Sequence, residues 1–227
     1  MVIPCLQTQP QVILQNDYWG LYNLVNGQLF DILYAEFNPL CVQGQWKLYG
    51  NIVNEPKRSI IVERTADPHP KKDNINLTPH PRYPWDQFPT LSQLAVEVRQ
   101  GLAQLTTTEI PKEFDYALIN IYDYGDHHIG FHADEEAGHN MVVSISLGGT
   151  RDFAIRPKHL TNNGGTYIKK MINDRQIYTT ESGTTKFSVY SGDVVYMMPG
   201  CQQNYKHSLL KTAKAVSPRL NITFRYY

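Results

Sequence analysis

The segment Gly130-Phe131-His132-Ala133-Asp134 sets an imidazole and a carboxylate two residues apart. On a strand or its exit, side chains at i and i+2 project to one side. His132 and Asp134 can therefore offer a nitrogen and an oxygen to a single ion. A third ligand is required, and His207 in Tyr205-Lys206-His207-Ser208 is the strongest candidate, with His127, His128 and His139 as competitors. Two histidines and one carboxylate make the facial set that holds non-haem Fe(II) while leaving coordination positions open. Taken alone, His-x-Asp is a weak signal, because a surface histidine near acids is the commoner meaning of such a pair.

The carboxy-terminal stretch Pro218-Arg219-Leu220-Asn221-Ile222-Thr223-Phe224-Arg225 strengthens it. At period 2, Arg219, Asn221, Thr223 and Arg225 share one face, and Leu220, Ile222 and Phe224 the other. Two guanidinium groups inside a barrel are costly without anions to answer them. A dicarboxylate co-substrate would supply such anions through bidentate pairing. An edge strand with its arginines in solvent fits this one segment equally well. Upstream, Asn120 and Tyr122 share a strand face and could donate hydrogen bonds to the same ligand.

The elements that must position these groups are short and mostly strand-like. Beyond Pro111, strand candidates fall at 116–124, 141–147, 153–156, 186–190, 194–198 and 219–227, separated by turn sequences such as Asn162-Asn163-Gly164-Gly165 and Ser191-Gly192-Asp193. Before them, Leu91, Leu94, Ala95, Val98, Leu102 and Leu105 repeat on one helical face, with Thr90 and Gln93 at capping-box spacing. A weaker helix covers 28–37 and stops at Asn38-Pro39. Residues 55–85 are dense in Pro, Asn, Asp, Lys and His and read as irregular, with one short strand at 59–62. The pattern predicts a mainly β chain with packed helices, a jelly-roll core and an amino-terminal extension.

Composition is ordinary for a globular protein, at 41% hydrophobic and 19% charged over 227 residues. No run reaches the ~18 apolar residues of a membrane span. The first twenty residues hold no Lys or Arg, which argues against a secretory leader. The three cysteines (Cys5, Cys41, Cys201) lie far apart, so neither a disulfide framework nor a zinc knuckle is expected. These features predict an intracellular protein of nucleus or cytoplasm, with no membrane partner. The net charge of zero conceals an asymmetry: 9 Lys and Arg against 17 Asp and Glu through residue 140, and 12 against 4 beyond it. A basic carboxy-terminal part could bind phosphate, although folding could equally blend the two parts.

Taken in order, these residues resemble a known family. Asn120-Ile121-Tyr122, Tyr124-Gly125, Ile129 to Glu136, Ser144 to Phe153, Gly192-Asp193, Met197-Met198, His207-Ser208 and Pro218 to Arg225 together resemble the AlkB family of Fe(II)- and 2-oxoglutarate-dependent dioxygenases, especially its nucleobase-repair branch. The resemblance covers residues 84–227. It implies a double-stranded β-helix core with His132, Asp134 and His207 as iron ligands. Arg219 would hold the distal carboxylate of 2-oxoglutarate with Tyr122 and Asn221, and Asn120, Thr223 and Arg225 would complete that pocket. Glu136 would face the damaged base, and Arg151 would lie where relatives hold the flipped base and its strand. Residues 1–89 would form an extension with a nucleotide-recognition lid, and 90–227 the catalytic core, in one compact unit.

The lid is matched more loosely. Val42-Gln43-Gly44-Gln45-Trp46 and Pro56-Lys57-Arg58 resemble its hairpin and basic segment, which makes Lys57 and Arg58 substrate-contact candidates. Tyr83 and Trp85 are candidates to stack on a base, with packing as their alternative role. Gln43 stands where duplex-acting relatives carry an apolar wedge, and it would fill the gap left by a flipped base poorly. The stretch 157–186 is long and basic and is either a strand-contacting loop or solvated. The implied activity is demethylation of 1-methyladenine and 3-methylcytosine in DNA or RNA by a monomer. It would convert 2-oxoglutarate and O2 to succinate, CO2 and formaldehyde, with single strands at least as good as duplex. An oxygenase acting on RNA or on a protein side chain, and a non-catalytic binding module of the same fold, are the alternatives.

Overall fold

The computed structural model describes residues 4–48, 50–64, 78–107, 110, 113–138 and 140–226, without the side chains of Leu48 and Glu136. The competing histidine at 139 lies outside the described residues. Chain order begins β1 (Leu6–Gln15), β2 (Trp19–Val25), α1 (Leu29–Phe37), β3 (Val42–Leu48), β4 (Asn51–Glu63), β5 (Arg82–Pro84) and α2 (Pro89–Leu105). It continues β6 (Tyr116–Tyr122), β7 (Ile129–His132), β8 (Val142–Gly148), β9 (Arg151–Pro157), β10 (Ile168–Ile172), β11 (Arg175–Thr179) and β12 (Thr185–Val189). Last come β13 (Asp193–Met197), α3 (Cys201–Asn204), β14 (Tyr205–Leu209) and β15 (Arg219–Arg225).

Two sheets face each other. The larger has the order β1-β2-β13-β8-β15-β6-β4-β3, with β5 parallel to β4, and the smaller the order β10-β11-β12-β9-β14-β7. This is the mainly β jelly-roll expected from the sequence. Period 2 divides the larger sheet cleanly. Leu220, Ile222 and Phe224 of β15 join Ile119, Ile121, Val143 and Ile145 in a core that α1 and α2 cover from behind. The space between the sheets is filled at one end by Trp19, Leu21, Phe153, Ile155, Phe187 and Val195. Its other end is a polar cavity. Strand β15 is paired along its length with β6 and β8, so it is a central strand and not a solvent-facing edge.

The amphipathic helices form as read. Leu91, Leu94, Ala95, Val98 and Leu102 of α2 are all buried. The capping box does not form, because Pro89 already occupies the first turn and Phe88 is the N-cap, without a side-chain cap. Gln93 instead bonds Glu97 at 2.7 Å.

Two expectations need correction. The short strand at 59–62 belongs to the thirteen-residue β4, which pairs with β3 over its first part and with β6 over its last. Its charged residues and Pro56 disguise it. The register passes from Gln43↔Arg58 to Gln45↔Asn54, so Glu55, Pro56 and Lys57 bulge opposite Gly44. A proline is tolerated there because the bulge leaves its position out of the ladder. The stretch 157–186 is likewise not one loop, since β10 and β11 extend the smaller sheet outward. Four of the five β10 residues are exposed, so no buried face imposed an alternation.

Cys5, Cys41 and Cys201 are free and buried, and burial pushes each thiol up to about 12. No helix among the described residues is long and apolar enough to cross a membrane.

Candidate active site and metal centre

Strand pairing brings the three candidate ligands together. His132 at the end of β7 and His207 in β14 are direct register partners, and their ring centroids lie 4.2 Å apart. Asp134 follows β7 by two residues, where its backbone N–H donates to Gln202 Oε1 at 2.9 Å. The carboxylate stands between the imidazoles, 3.6 Å from His132 Nε2 through Oδ1 and 3.7 Å from His207 Nε2 through Oδ2. All three ligand atoms fall within 4.8 Å of one another. Among the described residues no other group of histidine, cysteine and carboxylate does this.

The donor set fits a metal on its own chemistry. His132 Nδ1 lies 2.9 Å from the Gly130 carbonyl, so it carries the proton and leaves the Nε2 lone pair toward the centre. Burial pushes His207 down to about 3, as do His132 whenever that ring is protonated and the Arg225 charge, which keeps the His207 ring neutral and able to ligate. Burial alone would raise the Asp134 carboxyl. Arg225 and the two histidines outweigh it and hold the group well below the usual carboxylate range. Asp134 Oδ2 is buried with no hydrogen-bond partner, an acceptor that a cation between the rings would satisfy. Arg225 donates to Oδ1 at 2.7 Å and fixes the carboxylate's rotation.

Beside this centre, β6, β8 and β15 line a pocket of about 590 Å³ with polar side chains. Asn221 donates to Ser144 Oγ at 2.9 Å, Thr223 donates to Asn221 Oδ1 at 3.1 Å, and Asn120 reaches the same oxygen at 3.4 Å. Arg219 is 3% exposed, donates to Ser146 Oγ at 2.8 Å and stands over the Tyr122 ring, 5.1 Å from its centroid. Burial drives its guanidinium down to about 10. Arg225 is paired with Asp134 and Lys57 with Glu55. Arg219 is then the one Lys or Arg of this lining with no carboxylate among the described residues, and its Nε has no acceptor. A buried cation so placed fits the far carboxylate of a small dicarboxylate.

The substrate-side candidates fare differently. Lys57 lines the pocket. Arg151 does not, because its guanidinium bonds four carbonyls, those of Tyr124, Gly125, His127 and Leu210. Held to those two loops, the side chain is buried outside the cavity lining, and only its buried Nε–H is left without a partner among the described residues. Arg58 projects from the opposite face of β4 to Asp123 (2.9 Å) and Asn38 and ties the hairpin to the end of α1. Tyr83 packs edge-on to Phe88, and Trp85 is buried against Phe224, both in the helix-side core. The Glu136 side chain lies outside the described residues. Trp46, Glu55 and His80 line the pocket without having been singled out as site residues. The alternation Glu55-x-Lys57-x-Ser59 was the available signal, hidden by Pro56.

The descriptive match covers most of the chain. Residues 42–225 fit the 2OG-Fe(II) oxygenase superfamily. The chain belongs to that superfamily. Membership makes Fe(II), 2-oxoglutarate and O2 the cofactor and co-substrates, and His132, Asp134 and His207 are the group placed to hold the iron. DNA oxidative demethylase ALKBH2 of Arabidopsis thaliana is 26% identical over 148 residues, 63% of this chain and 45% of that protein. Its Mus musculus counterpart is 29% identical over 154 residues, 66% and 54% respectively. The chain thus spans about half the length of these curated relatives. The solved structure of OsALKBH1 superposes with a TM-score of 0.54 at 18% identity, covering 98% of this chain and all of that one, which supports the shared fold.

Proposed function

We propose that this oxygenase removes N-methyl groups from nucleobases of DNA, with 1-methyladenine and 3-methylcytosine as preferred lesions. The β3–β4 hairpin acts as the lid over the extruded base. The observation that carries this reading is the cavity itself. One wall holds the three iron ligands, and the facing wall presents the Trp46 indole and a set of hydrogen-bonding groups. Such a slot suits a flat heterocycle taken out of its stack. The names of the relatives point the same way.

Charge placement supports a nucleic-acid substrate. The register sets Lys206 beside Arg156, and Lys186 between Ala154 and Tyr178, whose other neighbour is Lys169. These cations occupy the outer face of the smaller sheet, beginning where Arg156 covers Phe131 at the cavity rim, 3.9 Å from its ring centroid. A phosphate chain tracking them would bind with strong salt dependence. On the hairpin, Gln43 is folded back, donating to the Glu55 carbonyl at 2.8 Å, so it does not project as a wedge. Single strands should therefore serve at least as well as duplex. A several-fold faster rate on duplex would instead point to Ile52, 63% exposed near the hairpin tip, as the wedge.

When bound, iron and 2-oxoglutarate supply an O2-derived oxidant that hydroxylates the methyl carbon, while 2-oxoglutarate becomes succinate and CO2 and the product base loses formaldehyde. The chain's own contribution is placement. His132, Asp134 and His207 would hold the iron, and Arg225 holds Asp134. Arg219 and the polar row of β15 orient the co-substrate, and the hairpin wall aligns the base and limits water.

The test is anaerobic reconstitution with Fe(II) and 2-oxoglutarate, then admission of O2 to oligonucleotides bearing one 1-methyladenine or 3-methylcytosine. Matched single-stranded DNA, duplex DNA and RNA are followed by mass spectrometry. Loss of the methyl group with stoichiometric succinate is expected, single strands being repaired at least as fast as duplex. Unchanged masses on every oligonucleotide, with succinate formed regardless of their presence, would sink the reading.

A further inference from the structure

The hairpin wall of the cavity carries an acid that the iron chemistry does not use. Glu55 is 1% exposed, and its carboxylate lies in the lining between Trp46, Lys57 and His80. A buried carboxylate is stable only where its charge is answered. Here Lys57 Nζ donates to Oε2 at 3.0 Å and Trp46 Nε1 donates to Oε1 at 2.7 Å, with His80 Nε2 3.7 Å from Oε1. The backbone makes the room. A Cβ on Gly44 would come within 2.8 Å of Glu55 Oε1, so the glycine opposite the bulge leaves space that the carboxylate fills.

The carboxylate is also tied to the floor of the site. Lys57 makes a second bond to Ser59 Oγ at 2.7 Å, and Ser59 donates to Asn120 Oδ1 at 2.8 Å. Asn120 belongs to the polar row that lines the co-substrate pocket. Glu55 is therefore a fixed acceptor. A carboxylate offers about four acceptor positions, and Trp46 and Lys57 take two of them.

We propose that Glu55 is the residue that selects the chemical class of the base: its carboxylate accepts a hydrogen bond from the exocyclic amino group of a cationic N-methylated base. The site then favours 3-methylcytosine and 1-methyladenine over 3-methylthymine and 1-methylguanine. This rests on the dealkylase reading above. Methylation at the ring nitrogen of cytosine or adenine leaves a cation with an amino donor beside the methyl group. The thymine and guanine counterparts are neutral and place a carbonyl oxygen at that position. An acceptor-only group meets a charge-assisted donor in the first case and a lone pair in the second. The discrimination thus has an attractive and a repulsive half.

The test is a competition, in one tube, between single-stranded oligonucleotides carrying 3-methylcytosine and 3-methylthymine, using the iron-loaded enzyme. The ratio of their kcat/KM values is independent of how much enzyme is folded, so a variant that folds in part remains informative. Wild type should prefer 3-methylcytosine. Glu55→Gln can turn an N–H toward a carbonyl oxygen, and it should lower the ratio by about 10-fold or more. Glu55→Asp keeps the charge one methylene further away and should fall between. A purely structural role would slow both substrates equally and leave the ratio in place. A ratio within about two-fold of wild type in Glu55→Gln overturns the proposal while the dealkylase reading stands. Absence of demethylation by the wild type on every oligonucleotide overturns both.

Discussion

Strands β15 and β4 both send alternate side chains into the cavity, and they do so by opposite means. β15 is hydrogen-bonded on both sides along its length. The positions of Arg219, Asn221, Thr223 and Arg225 therefore follow from a regular lattice. β4 is interrupted by the bulge opposite Gly44, and the inward groups Glu55 and Lys57 lie within it. Oxidative chemistry rests on the regular wall. Base selection, as proposed, rests on the irregular one. A bulge can exchange its residues without shifting the ladder that sets the iron, so the two tasks can vary independently.

The sharpest way to break this division is at the regular wall. Asp134→Ala removes a ligand and strands Arg225, and it should abolish succinate formation on every substrate. The loss should exceed the ~10–100-fold that removing an outer-shell partner of a metal costs. Residual iron binding and near-normal turnover in that variant would move the metal elsewhere. Arg219→Met comes next. It should raise the 2-oxoglutarate concentration needed for half-maximal rate by ~30-fold or more, corresponding to about 2–5 kcal/mol for truncating one partner of a buried charge pair. The ratio between methylated bases should not move. A changed ratio would mean the two walls are coupled through Asn120 and Ser59.

The smallest effect is expected at the root of the hairpin. Burial raises the Asp123 carboxyl, but the bonds and charge of Arg58 overcome this and hold it below its ordinary value. Protons therefore favour the unfolded chain. The contribution is fully present above the unfolded value of ~3.9 and is lost as pH falls through the lower folded value. Asp123→Asn should cost about 1 kcal/mol in denaturant unfolding at neutral pH, since the pair is partly exposed. That difference should shrink below about pH 4. A pH-independent difference would assign the loss to packing rather than charge.

What the sequence disclosed follows the same line. The alternation of 219–225 and the helical repeat of 91–105 were readable because each has one face buried in a continuous core. His132, Asp134 and His207 were readable because their types are rare and their order specific. Glu55 reads in the sequence as the start of a loop because Pro56 and the charges around it mimic one. The resemblance puts Arg151 and Arg58 on the substrate side, yet both donate to groups far away in sequence, such as Leu210 and Asp123. Only tertiary structure reveals such partners. β10 left no trace because neither of its faces is buried.

The three cysteines have a consequence for chemical durability. Sulfur is the softest nucleophile a protein owns, and only its anion reacts quickly with methylating agents. With thiols pushed up to about 12, roughly one in 10⁵ is ionised at neutral pH, and each lies behind packed side chains. An agent that methylates a nucleobase would find these thiols poor competing targets. The cysteines would stay unmodified under the same exposure that generates the proposed substrates.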